Sequence, residues 1–272
     1  MPSQLRYRLD AHVKPNIESS QDVKTRKCSD EPRTLLGLLQ RAAHLWPNNG
    51  IAFKDQGWDQ KSDFMTYADL LTEAKVMLSG IISIPAKLMT SKSNAAKLLA
   101  HGAVTPNQCT VLYFDSHRNN TIWFWSTVVA GGVPAMLSPL SSNDVTLAGE
   151  LDNVNKLFNS PTILTTKHLA KPFRLVTCLN TITVEVVATV NIEDTFETTT
   201  INESSGREDE LATVLFTSGS TGFAKGVEYT HSQLVASSKL KCQFHRMDSS
   251  KTFMSWVSKY HQFQESVTGS VY

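Results

Sequence analysis

The sequence predicts an α/β domain in which strands alternate with helices around a largely parallel sheet. Three observations carry this. Short β-rich apolar runs at residues 110–114, 133–137 and 162–165 are separated by segments long enough for a crossover helix. The first such segment, from about 119 to 130, holds Ile122, Trp123, Trp125, Val128 and Val129 and leaves little polar face, as a buried helix requires. A further apolar strand, residues 211–216, runs directly into a loop of glycine, serine and threonine.

Taken in order, residues 1–30 are polar, mixed in charge and without periodicity, which predicts a loosely ordered arm. From Thr34 to Trp46, Leu35, Leu38, Leu39, Ala42 and Leu45 recur at helical spacing, and Pro47-Asn-Asn-Gly50 stops the helix. Residues 51–54 and 63–66 read as short strands about a polar turn, and Thr66 with Asp69 reads as the cap of a helix through Lys75. Residues 76–93 break that pattern with Ser79-Gly80 and Pro85, and helical character resumes at Asn94. Joining Lys75 directly to Asn94 would give one amphipathic helix. We therefore read 76–93 as an insertion of the kind a retained intron leaves; uniform read coverage of these codons in the transcript would argue against it.

Asp115-Ser116 can cap the apolar helix that follows the strand at 110–114. Leu147, Leu151, Val154 and Phe158 mark a second amphipathic helix ending near Pro161. Residues 183–190 read as a strong strand, followed by a Thr- and acid-rich surface connection over 191–210.

Composition narrows the function. With 26 Lys plus Arg against 25 Asp plus Glu in 272 residues, there is no electrostatic case for nucleic acid or an anionic membrane as partner. The longest near-apolar run, 122–137, is short for a bilayer span and contains Gly131, Gly132 and Pro134, so no membrane partner is expected. Cys28, Cys109, Cys178 and Cys242 have no paired spacing, and the start lacks the apolar core of a secretory signal. These features predict reduced thiols in a soluble, cytoplasmic protein. His12, His44, His101, His117, His168 and His245 show no metal-ligand spacing, and no metal site is expected from protein ligands.

The chemistry is carried by Thr217-Ser218-Gly219-Ser220-Thr221-Gly222. Hydroxyl residues and glycines leave backbone N–H groups open to wrap phosphate oxygens, and the hydroxyls add donors. Lys225 follows and can neutralise a phosphate or a departing pyrophosphate. Gly226 lets the backbone leave, and Thr230 with Gln233 reads as a capping box opening a helix to about Phe244. A strand before the loop and a capped helix after it fit a phosphate site at a helix N-terminus. The loop is not a Walker A motif, since Ala224 precedes Lys225 and Gly226 follows it, and it lacks the three glycines of the dinucleotide fingerprint. An ordinary flexible surface turn is the plainer reading. It leaves the preceding strand, the lysine and the capped helix without a purpose.

The run from Leu215 to His231, LFTSGSTGFAKGVEYTH, resembles the ATP-phosphate signature of the adenylate-forming (AMP-binding) superfamily, which includes acyl-CoA synthetases, luciferases and adenylation domains of nonribosomal peptide synthetases. Ala224 departs from it, standing where the family usually has proline. Upstream, Tyr113-Phe-Asp-Ser-His117 and the run from Trp123 to Pro134 resemble adenylation domains of fungal synthetase-like proteins. The resemblance covers roughly 31–258 apart from the suspected insertion. It implies that 31–272 forms partial N-terminal subdomains of such an enzyme, an incomplete adenylation domain without its C-terminal subdomain.

The resemblance further implies a two-step ligase. A carboxylate attacks the α-phosphate of ATP, with Mg²⁺ bridging phosphate oxygens. The acyl group then passes to the thiol of coenzyme A or of a carrier-protein arm. Thr217, Ser218, Gly219, Ser220, Thr221, Gly222 and Lys225 would grip the β- and γ-phosphates, with Lys225 in the catalytic role. His261, in a segment resembling the next family motif, would border the acyl pocket. The family's adenine-stacking aromatic, magnesium-binding acid, ribose-gripping aspartate and mobile lysine have no counterpart before Tyr272. This leads us to expect a truncated ligase that does not form acyl-adenylates alone. A non-catalytic remnant acting as a binding or decoy protein, and one half of a split synthetase, are the alternatives.

Overall fold

The computed structural model describes residues 31–53, 63–74, 94–175, 179–190, 206–217, 224–249 and 251. The predicted arm at 1–30, the predicted insertion at 76–93, and most of the 191–210 connection lie outside them. So do Ser218, Gly219, Ser220, Thr221, Gly222 and His261.

Helix α1, Leu35–Leu45, starts where Thr34 caps it: Gly37 N donates to Thr34 Oγ1 at 3.1 Å. Its leucine stripe is buried at Leu35, Leu36, Leu38 and Leu39. Strands β1 (Gly50–Phe53) and β2 (Asp63–Thr66) pair antiparallel as a separate two-stranded sheet. Gly50 is required there because a Cβ would stand 2.0 Å from the Met65 carbonyl oxygen. Helix α2, Tyr67–Ala74, opens with the expected reciprocal cap: Asp69 N donates to Thr66 Oγ1 at 2.9 Å and Thr66 N donates to Asp69 Oδ2 at 3.3 Å. Helix α3 spans Asn94–Ala100.

The main sheet has six strands: β3 (Cys109–Tyr113), β4 (Val133–Met136), β5 (Thr162–Thr165), β6 (Asn180–Thr183), β7 (Leu211–Thr217) and β8 (Lys225–Thr230). Their order is β6-β5-β3-β4-β7-β8, parallel throughout except for β8, which runs antiparallel to β7. The crossovers are α4 (His117–Val129), capped by Ser116 Oγ accepting from Asn119 N, and α5 (Asp144–Phe158), capped by Asn143. The α/β fold with a largely parallel sheet is therefore as the sequence predicts, with element ends shifted by a residue or two.

Side chains alternate between two cores, as the period of a strand demands. Leu112, Met136, Leu164 and Ala212 join α1 to α4 and Leu234 on one side. Val111, Ala135, Ile163 and Val214 join Leu147, Leu151 and Val154 of α5 with Phe173 on the other. Trp125 and Phe124 of α4 are almost fully buried, each contributing about 1.5–3 kcal/mol of transfer free energy. Pro134 sits in a central strand, where a missing N–H is normally excluded. The structure accommodates it because β7 joins β4 only from Ala135 onward, and Thr213 Oγ1 donates to the Pro134 carbonyl at 2.7 Å.

Two expectations are corrected. The strand predicted over 183–190 ends at Thr183, and Val184–Ala188 is a short helix, α6. Val184 and Val187 lie three apart and pack inward while Val186 is 49% exposed, a helical rather than alternating pattern. Burial on one side overrides the β propensity of the valines. Strand β8 occupies residues whose sequence predicts a loop exit and a cap. Its signal is the modest alternation of Val227 and Tyr229, half-buried on either side of the exposed Glu228.

Candidate functional site

Because β3, β4, β5 and β7 run parallel, their carboxyl ends share one edge. Helix α4 leaves β3 toward one face and α5 leaves β4 toward the other. The loops after these adjacent strands therefore diverge, and such a switch point is where open α/β sheets receive ligands. Strand β7 pairs with β4, so Thr217 ends beside that crevice.

Thr217 and Lys225 are register partners across β7 and β8, and Thr217 Oγ1 donates to the Lys225 carbonyl at 3.4 Å. Both residues are exposed. These strand ends form the mouth of the hairpin, from which 218–223 extend beyond the described residues. Two contacts from α5 reach the mouth. Asn153 Nδ2 donates to the Ala224 carbonyl at 2.9 Å, and Phe158 meets Phe216 edge-on with centroids 5.7 Å apart. Gly226 has little room for a side chain, since a Cβ would come within 3.0 Å of Val214 Cγ1. The structure thus brings Thr217 and Lys225 together at the carboxyl edge.

It does not bring a helix N-terminus to the same place. The expectation that a capped helix follows the loop directly is corrected by β8, which carries the chain back to Thr230 opposite Leu211. That is roughly 20 Å from the mouth at strand rise. Helix α7, His231–Phe244, begins there with the predicted capping box of Thr230 and Gln233. Its dipole serves the root of the hairpin and not the phosphate loop.

The root holds residues for which no role is predicted. His231 N donates to the Glu210 carbonyl at 3.1 Å and Ser232 N to the Glu208 carbonyl at 2.8 Å. Leu35 N, at the start of α1, donates to His231 Nδ1 at 3.3 Å. Nδ1 must therefore be unprotonated, with the ring proton on Nε2. Burial lowers the His231 pKa below its ordinary value, and the Glu210 carboxylate opposes the shift only in part.

Elsewhere on the carboxyl edge, His168 Nε2 and Asp115 Oδ2 lie 2.7 Å apart after β5 and β3, both more than half exposed. Among the described residues no group of three or more His, Cys, Asp or Glu could hold a metal ion. Cys109 and Cys242 are free thiols. Burial, with Glu228 nearby, pushes Cys109 up to about 11, so it is protonated and inert at neutral pH. No helix among the described residues is long and apolar enough to cross a membrane.

An open, mostly parallel sheet with a Gly/Ser/Thr segment following a strand end beside the switch point, and a lysine after it, defines an α/β protein of the open-sheet class, in which ligands are received at that edge. The particular family follows from comparison. The model of the family described as AMP-binding enzyme matches residues 86–271, over half of the chain. The chain belongs to that family. Among its relatives is the nonribosomal peptide synthetase acyN of Ascocoryne sarcoides, 32% identical over 84% of this chain and 23% of the relative. Another is the synthetase pngA of Aspergillus terreus, 28% identical over 84% of this chain and 22% of the relative. The chain thus spans about a quarter of the length of these curated relatives. A solved structure of McyG A-PCP with phenylalanyl-adenylate superposes with a TM-score of 0.60 at 21% identity, over 81% of this chain and 32% of that one. The fatty acyl-adenylate ligase of L. pneumophila, with acyl adenylate and pyrophosphate, superposes at 0.58 and 18% identity over 80% of this chain and 34% of that one. At these identities the likeness is one of fold.

Proposed function

We propose that this chain supplies the ATP-phosphate grip of an adenylation domain that activates a carboxylic acid. The observation that carries the reading is the pairing of Thr217 with Lys225 at the carboxyl edge of the sheet, in a chain of the AMP-binding family. A carboxylate oxygen of the acid attacks the α-phosphorus of ATP. The bond from that phosphorus to the bridging oxygen breaks, pyrophosphate leaves with the electron pair, and an acyl-adenylate remains. No proton transfer is needed, so catalysis consists of positioning and charge stabilisation. The Lys225 ammonium offsets charge on the departing pyrophosphate, and Thr217 to Gly222 supply hydroxyl and backbone donors. Mg²⁺ arrives with ATP as part of the substrate. The acyl group then goes to a thiol on coenzyme A or a carrier arm, with His261 bordering the acyl pocket. In this reading 31–272 is part of an adenylation domain, 76–93 is inserted in it, 1–30 is an arm, and the protein works in the cytoplasm, where ATP and reduced thiols are supplied.

The test is exchange of labelled pyrophosphate into ATP over a panel of aryl, amino, keto and fatty acids. Exchange that depends on one acid class and disappears in Lys225→Ala is the expected result for a protein that carries the whole adenylation domain, while residues 1–272 alone are not expected to form acyl-adenylates. Acid-dependent exchange that survives Lys225→Ala would refute the role given to Lys225. A second reading is favoured by one relative, the inactive atromentin synthetase invA6 of Paxillus involutus, 25% identical over 92% of this chain. On that reading the chain binds MgATP without turning it over, and binding without exchange for any acid would select it.

A further inference from the structure

Asn153 lies inside α5, between Leu151 and Val154, both buried in the core under the sheet. Asparagine is a poor residue for a helix interior, because its amide competes with the backbone for hydrogen bonds. Here the amide is turned away from its own helix. Nδ2 donates across 71 positions of sequence to the carbonyl of Ala224, at 2.9 Å and partly shielded from water. Ala224 is the residue immediately before Lys225, and Lys225 is the first residue of β8 to pair with β7. The Thr217 hydroxyl reaches the Lys225 carbonyl only at 3.4 Å. Of these two contacts the Asn153 bond is the shorter. Phe158, further along α5, braces Phe216 on the opposite strand of the mouth. One helix therefore touches both sides of the mouth, with an apolar contact on β7 and a hydrogen bond to the residue just before β8.

We propose that Asn153 is a positioning residue that fixes the direction in which Lys225 leaves the mouth, and so sets the affinity for the phosphates of ATP. The inference rests on the phosphate-binding reading above and deepens it. Asn153 touches no reacting atom. It acts by holding the peptide unit between Ala224 and Lys225 against rotation, which a fully exposed strand end would otherwise undergo. A group displaced by even 1 Å loses much of its hold on a ligand oxygen.

The test uses the full chain and two near-isosteric variants, Asn153→Leu and Asn153→Asp. Leucine lacks the donor, and the carboxylate places an acceptor against the Ala224 carbonyl. Two readouts are needed: hydrogen exchange of the peptide spanning 213–229, and MgATP affinity by calorimetric titration. We expect exchange in that peptide to quicken while α5 and α7 are unchanged. MgATP affinity should fall about threefold to tenfold, the change associated with one hydrogen bond, and the melting temperature should stay within a few degrees of the parent. If the leucine variant does not fold, the aspartate variant carries the same comparison. Unchanged exchange at the mouth overturns the proposal. Altered exchange with MgATP affinity equal to that of a binding parent overturns it as well, and leaves the phosphate reading standing. Altered exchange in a parent that binds no MgATP overturns the phosphate reading and the positioning role together, leaving the bond a structural tie.

Discussion

The two ends of the β7–β8 hairpin are built differently. At the root, Leu211 faces Thr230, and the chain on either side is tied down by the capping box, by the Glu208 and Glu210 carbonyls, and by His231 reaching α1. Leu234, one turn into α7, is buried in the core shared with α1 to α4. At the mouth, Thr217 and Lys225 are exposed and joined by one long hydroxyl contact, and Phe158 and Asn153 meet their neighbours Phe216 and Ala224. The root is determined by the fold. On the proposed function the mouth is left to the ligand, with its lysine exposed and, by the inference above, its direction set by Asn153. A single hairpin thus separates stability from chemistry along roughly 20 Å of strand. The difference can be broken or sharpened by substitution at either end.

The largest effect is expected from Leu234→Ala, which leaves a cavity where the root meets the core. It should cost about 2–4 kcal/mol of unfolding free energy by urea titration. A loss below about 1 kcal/mol would mean that α7 is not anchored as described. Next, Thr230→Ala removes the acceptor for Gln233 N and should cost about 1 kcal/mol. The same measurement reads it, and Gln233→Ala should not add its full single-mutant cost on top, since the two side chains form one box.

Acid should act more gently at the same root. His231 has a lowered pKa in the fold, so the folded state favours the neutral ring. Its contribution is fully present above the ordinary value of 6.5 and is lost as pH falls from there through the lowered folded value. Glu208, Glu210, Asp209, Arg33 and Arg207 surround this corner. A urea midpoint that declines between pH 7 and pH 5 in the parent, and does so less in His231→Asn, is expected. The asparagine oxygen can accept from Leu35 N without taking a proton. Equal slopes in both chains would remove His231 from the account.

Much of this was legible in the sequence because it is coded locally. Helical spacing of leucines after Thr34, the cap at Ser116 and the capping box at Thr230 each specify an element from a few neighbouring residues. The run from Leu215 to His231 also marked the family. What failed was set by distant partners. Val184–Ala188 has strand-forming residues, yet one face meets a core that no local pattern reports. Strand β8 exists because β7 offers it an edge, and its polar sequence alternates only weakly. The tie from His231 to Leu35 spans 196 positions and that from Asn153 to Ala224 spans 71. Neither leaves a trace in spacing, although His231 lies within the signature that identified the family.

The smallest effect on stability belongs to the residue with the largest assigned role. Lys225→Ala is exposed and outside the core, and should change unfolding free energy by no more than about 0.5 kcal/mol. MgATP titration of the parent chain and of Lys225→Ala, with both shown to melt alike, tests the central claim most directly. The account predicts binding by the parent and a loss of tenfold or more in the variant. Equal affinity in the two chains, or a parent that MgATP does not bind, would contradict it.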